Sequence, residues 1–125
     1  LADAMPQGDA APRTPAPEPV SASTQHIDFA SNQTHVLIAQ QGISRDDPDY
    51  AALYLGNQIL GGGGFGSRLV DEIREQRGLA YSPRSTFSAM QAPGPFYISI
   101  QTRADQAEQA LDVANQVLDE LNGTR

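Results

Sequence analysis

Residues 61–81 read GGGGFGSRLVDEIREQRGLAY, and the way this stretch is parsed decides the fold. A helical pattern runs into it: SRDDPDYAALYLGNQILG begins with turn residues, sets Pro48 just inside a helix start, and spaces Leu53, Tyr54, Ile59 and Leu60 at helical intervals. After the glycines, Phe65, Leu69, Val70 and Ile73 predict the apolar stripe of a second helix. Arg68, Asp71, Glu72, Arg74 and Glu75 face away from it, Arg68 and Glu72 stand at i,i+4, and Gly78 closes the helix. The glycine run then reads as a tight connection between two helices, where glycine permits positive φ and close backbone approach. Gly61, Gly63 and Gly66 also satisfy G-x-G-x-x-G, but that fingerprint follows a strand, and no Gly-Lys-Ser/Thr is present to make a phosphate loop.

Working outward, QTHVLIAQQG (residues 33–42) is a β-branched apolar run that predicts a buried strand, and QHIDFA (25–30) alternates weakly and predicts another. On the other side, LAYSPRSTFSAM and GPFYISIQTR predict a hairpin joined at QAPGP. In its second strand Phe96, Ile98 and Ile100 alternate with Tyr97, Ser99 and Gln101. ADQAEQALDVANQVLDELNG spaces Ala107, Leu111, Ala114, Val117, Leu118 and Leu121 as a last helix, with Asn122-Gly123 as its stop. The order is ββααββα, which fits an α+β fold: a mainly antiparallel sheet with helices packed on one face.

Composition sets bounds on function. The chain has 125 residues with 39% hydrophobic content, enough for one domain and little more. Residues 1–20 hold five of the nine prolines with no apolar period, which predicts an extended linker, leaving 21–125 as part of a folded domain. The absence of an initial Met and the stop just after a helical pattern suggest a piece of something longer. Fifteen acidic against eight basic residues give a net charge of -7, which argues against binding nucleic acid through the overall field. No apolar run approaches the roughly 20 residues that span a bilayer, so no membrane insertion is expected. There is no cysteine, hence no disulfide framework, thiolate zinc site or cysteine nucleophile.

Few residues carry chemistry. The two histidines, His26 and His35, lie nine positions apart without acidic residues at zinc-motif spacing, so no metal site is expected, and both are assigned to strand faces. There is no G-x-S-x-G. Arg74 and Tyr81 admit two readings. In one, Arg74 pairs with Asp71 on a solvated helix face and Tyr81 is a strand aromatic. In the other, an arginine at a helix end and a tyrosine opening the next strand converge, offering a guanidinium fork and a phenol to a peptide carbonyl or developing oxyanion.

NQILGGGGFGSRLVDEIREQRGLAYS (57–82), preceded by QTHVLIAQQGISRDDPDYAALYLG and followed by the GPF strand, closely resembles the C-terminal half of the pitrilysin or insulinase-like zinc peptidases, the family that includes mitochondrial processing peptidase. The resemblance runs from His26 to Leu121. It implies a metallopeptidase-half fold, here truncated, and a paired domain across a chamber that encloses an extended peptide. In the family the N-terminal domain carries H-x-x-E-H and the zinc. No H-x-x-E-H occurs here, so the resemblance is to the non-catalytic partner, and the isolated chain is expected to be inactive.

The family also places an Arg and a Tyr seven positions apart in this second domain, reaching the substrate near the zinc, and Arg74 and Tyr81 match that spacing. The resemblance thus implies that Tyr81 donates its hydroxyl to the scissile carbonyl oxygen and Arg74 holds substrate backbone. A glycine-rich loop contacts peptide in the processing-peptidase relatives, which carries substrate contact over to Gly61, Gly62, Gly63 and Gly64. The implied partners are a catalytic N-terminal domain, on the same chain or a separate subunit, and a peptide substrate, with zinc as the partner's cofactor. A scaffold or peptide-binding domain without a role in turnover is the alternative. Analogy with bacterial relatives points to periplasm or cell envelope, and composition does not separate these from cytoplasm.

Overall fold

The period-2 runs become the two long strands of the computed structural model, which describes residues 8, 11, 12, 15, 18, 21–27 and 29–123. Strand β1 (Gln33–Gln41) lies antiparallel to β3 (Pro95–Arg103), with Val36 opposite Ile100 and Ile38 opposite Ile98. The short strand β2 (Arg84–Phe87) pairs with the other side of β3, giving the order β1-β3-β2. Alternation sends Val36, Ile38, Ile98 and Ile100 to one face and His35, Leu37 and Ser99 to the other, because side chains alternate across a strand.

Helices cover the apolar face. Helix α1 (Tyr50–Asn57) continues into a π-helical turn, Gln58–Gly62, where the Gly63 N–H donates to the Gln58 carbonyl five residues back at 3.0 Å. A 3-10 turn, Gly64–Gly66, leads to a second π-helical segment, Val70–Glu75, in which the Gln76 N–H reaches the Asp71 carbonyl at 2.9 Å. Helix α2 (Ala107–Leu121) closes the layer through Ala110, Val113, Ala114 and Val117, the i, i+3, i+4, i+7 face of a helix. Their side chains join Leu60, Leu69, Ile73 and Leu79 and the sheet in one core cluster. The result is the α+β architecture expected, a three-stranded antiparallel sheet with helices on one face.

Several local expectations change. The described residues of QHIDFA form no strand, so His26 does not lie on a strand face, whereas His35 sits exposed on β1. Ile27 and Phe29 project to solvent with no core beneath them, and alternation without a face to bury does not hold a strand. Of the residues placed at helical spacing in α1 and its π-helical extension, Leu60 alone is buried, while Leu53, Tyr54 and Ile59 are exposed. The α2 face is rotated from the expected one: Leu111 is half-buried and Leu121 exposed. Phe65 does not join the second apolar stripe, because Gly64 at φ +71° and the 3-10 turn come before the helical segment starts. The linker expected over 1–20 falls mostly outside the described residues.

Two side-chain pairs follow the wider helical geometry. Glu72 meets Arg77 at 2.5 Å and Asp71 accepts from Gln76 at 2.9 Å, each five positions apart, as a π-helical turn brings i and i+5 onto one face. Arg68, expected to pair with Glu72, instead reaches Glu120 on α2.

Candidate functional site

Gly78 aims the residues that follow. At φ +63° it ends the π-helical segment, its N–H donating to the Arg74 carbonyl at 2.9 Å while the Leu79 N–H donates to the Ile73 carbonyl at 2.8 Å. Arg74 is thereby left in the last turn, and the chain reverses toward the sheet. Ala80 bridges Thr102, and the Thr102 hydroxyl donates to the Leu79 carbonyl at 2.6 Å, pinning the return.

Between Ala80 and β2 the strand carries one residue too many. In an unbroken ladder Ala80 opposite Thr102 would put Arg84 opposite Ile98, but Arg84 stands opposite Ser99. Pro83, which has no N–H to give the ladder, sits inside this bulge. Leu79 and Ala80 are both buried while Tyr81 and Ser82 both turn outward, so the expected strand from Leu79 is real only at Arg84–Phe87.

The reversal brings Tyr81 back over Arg74. The Arg74 guanidinium carbon lies 4.6 Å from the Tyr81 ring centroid and 4.8 Å from that of Phe65, so the cation lies over two aromatic rings. Arg74 Nε is 3.3 Å from Glu75 Oε1, and the pairing with Asp71 considered from sequence does not form. Both rings are about three-quarters exposed, and the Tyr81 hydroxyl makes no hydrogen bond to another described residue. With Nε beside Glu75, the terminal N–H groups of the Arg74 guanidinium are the ones that can serve acceptors such as a carbonyl or carboxylate.

Arg74 and Tyr81 form a ridge between two grooves. The larger, about 530 Å³, is walled by Asn32, Gln33, Gln101, Arg103 and Gln106. The smaller, about 210 Å³, is lined by Gly61, Gly64, Phe65, Val70, Pro83 and Arg84. Of the four glycines tied to substrate contact, Gly61 and Gly64 line this groove, whereas Gly62 and Gly63 do not. Gly61 is fixed by packing: a Cβ there would stand 2.5 Å from the Ser85 N and 2.8 Å from Leu69 Cδ1. The close approach is therefore to strand β2 as well as to the next helical segment, beside a buried Ser85 hydroxyl that donates to Asn57 Oδ1 at 2.6 Å.

Sequence reasoning missed Phe65 and Arg84 as members of this surface. A lone aromatic between Gly64 and Gly66 was the available signal, since glycines on both sides disfavour a helix interior. Among the described residues no three His, Asp or Glu side chains gather into a metal-holding group, and no helix is long and apolar enough to cross a membrane.

Residues 3–124 match the sequence profile of the peptidase M16 inactive domain. An uncharacterized zinc protease of Streptomyces coelicolor is 36% identical over 91 residues, covering 73% of this chain and 20% of that protein. The crystal structure of a peptidase M16 inactive domain from Pseudomonas fluorescens is 59% identical with a TM-score of 0.71, covering 74% of this chain and 22% of its own. A conserved protein from Enterococcus faecalis is 27% identical with a TM-score of 0.61, over 70% of this chain and 20% of that one. The chain thus spans about a fifth of the length of the relatives it matches.

Proposed function

We propose a role that starts from one premise: the chain belongs to the peptidase M16 inactive domain family. It serves as part of the non-catalytic C-terminal half of a zinc-dependent endopeptidase, closing the substrate chamber against the zinc-bearing half and contributing Arg74 and Tyr81 to the bound peptide. The observation that carries the reading is the meeting of these two residues, 4.6 Å from guanidinium carbon to ring centroid, on an exposed ridge between two grooves.

An extended peptide crossing that ridge would set successive side chains into the two grooves. Arg74 binds backbone carbonyls through its terminal N–H groups, and Tyr81 donates its hydroxyl to the scissile carbonyl oxygen as charge develops there. Holding the guanidinium over the rings orders it before substrate arrives, which lowers the entropy lost on binding. Zinc belongs to the other half in this reading, as the zinc protease relative suggests, and there it would polarise the carbonyl and activate water.

Hydrolysis of a quenched fluorescent peptide by the zinc-bearing half, alone and with this chain added, tests the reading. Activity that depends on the added chain supports it, and equal activity without the chain contradicts it.

A scaffold role has its own observation. Leu53, Tyr54, Leu55 and Ile59 leave an apolar surface on α1 and its extension. A scaffold would keep assembly and turnover when Arg74 or Tyr81 is changed.

A further inference from the structure

Phe65 is the unusual member of the ridge. It is an apolar ring three-quarters exposed, on a three-residue turn whose entry conformation, Gly64 at φ +71°, belongs to glycine. An exposed phenylalanine gains little from burial there, yet the Arg74 guanidinium lies over its ring at 4.8 Å as well as over that of Tyr81 at 4.6 Å. Glu75 competes for the same side chain from the neighbouring position, with its carboxylate 3.3 Å from Arg74 Nε. Arg74 keeps about a quarter of its side chain exposed, and these three neighbours are the groups that contact its charged end.

We propose that Phe65 is a positioning residue for Arg74: its ring and that of Tyr81 hold the guanidinium in place, with Nε beside Glu75 and the terminal N–H groups left for the grooves. The turn around Gly64 exists, in this account, to present that ring. The clamp also couples the glycine run to the Arg74–Tyr81 pair, because Phe65 lines the smaller groove with Gly61 and Gly64. The functional consequence rests on the reading of Arg74 as a substrate contact.

The test uses two readouts. The first is the NMR resonance of the Arg74 guanidinium protons in the full chain, which ring currents move upfield when the group lies over aromatic faces. The displacement is expected to shrink in Phe65→Ala and Phe65→Leu and to persist in Phe65→Tyr and Phe65→Trp. An unchanged resonance in Phe65→Ala overturns the proposal.

The second readout is turnover by the zinc-bearing half with each variant added. Phe65→Ala is expected to lower kcat/KM about two- to fivefold, the scale of one exposed cation–π contact. Phe65→Trp is expected to restore it, and Phe65→Ala to add nothing in an Arg74→Ala background. Loss with Arg74→Ala but none with Phe65→Ala overturns the positioning role and leaves the chamber role standing. A resonance that responds to Phe65 while Arg74→Ala leaves turnover unchanged upholds the clamp and removes the chamber role.

Discussion

Arg74 and Tyr81, seven residues apart in sequence, meet at 4.6 Å because Gly78 reverses the chain and a one-residue bulge before β2 turns Tyr81 outward. Neither device is a catalytic group, yet both are needed to set a guanidinium and a phenol on one ridge. The charge and the ring also depend on each other, since the aromatic face helps to order a cation that Glu75 also holds at 3.3 Å.

Replacing Arg74 by Lys separates charge from shape. Lysine keeps the positive charge but has no planar face to lie over Phe65 and Tyr81 and no fork for two acceptors. Loss of one charge-assisted hydrogen bond is worth about 1.5–3 kcal/mol, so kcat/KM is expected to fall on the order of 10- to 150-fold. Urea unfolding of the chain should move by no more than about 1 kcal/mol, the scale of the cation–π contacts that are weakened. Full activity in Arg74→Lys would mean that the fork and the stack do not matter.

The glycine run divides into positions that packing demands and positions it does not. Gly61→Ala pushes a methyl to within 2.5 Å of the Ser85 N, backbone that cannot yield cheaply, while Gly66→Ala meets nothing within 4 Å. Destabilisation by about 1–3 kcal/mol is expected for Gly61→Ala, and little change for Gly66→Ala. Urea midpoints compared at equal m-values check this, and equal midpoints for the two variants would contradict the packing described.

Two buried serines should respond in opposite directions. Ser85→Ala removes the donor to Asn57 Oδ1 at 2.6 Å and strands a buried carbonyl, costing about 1–3 kcal/mol. The Ser67 hydroxyl is fully buried with no hydrogen-bond partner among the described residues, so Ser67→Ala should leave stability unchanged or raise it. Thermal unfolding of both variants decides the matter, and a large loss in Ser67→Ala would reveal a partner for its hydroxyl.

The sequence carried the architecture wherever a period meets a face. Ile98 and Ile100 alternate on β3 and are fully buried opposite Val36 and Ile38 on β1, so both strands were legible. Weak alternation at 25–30 had no such face. The region around the site was harder to read because its geometry departs from the regular periods. π-helical turns move ion pairs from i,i+4 to i,i+5, which hid the Glu72–Arg77 bridge and freed Arg68 for Glu120. Phe65 fits a helical stripe by spacing alone, and only the left-handed Gly64 before it shows that the helix has not yet begun. Arg74 and Tyr81 stood out by resemblance, whereas their stacking depends on a bulge with no strong sequence signal beyond Pro83.

The central claim, that this domain reaches into another half's active site, is tested most directly by Tyr81→Phe. The substitution removes one hydroxyl that bonds to no described residue and leaves the ring stacked on Arg74. Turnover of a quenched fluorescent peptide by the zinc-bearing half is measured with the wild-type chain and with the Phe variant at equal occupancy. With Tyr81→Phe, kcat is expected to fall roughly 10²- to 10³-fold, about 3 kcal/mol for one oxyanion donor, with assembly unchanged. Equal turnover with the two chains would contradict it and leave Tyr81 an exposed aromatic beside an arginine.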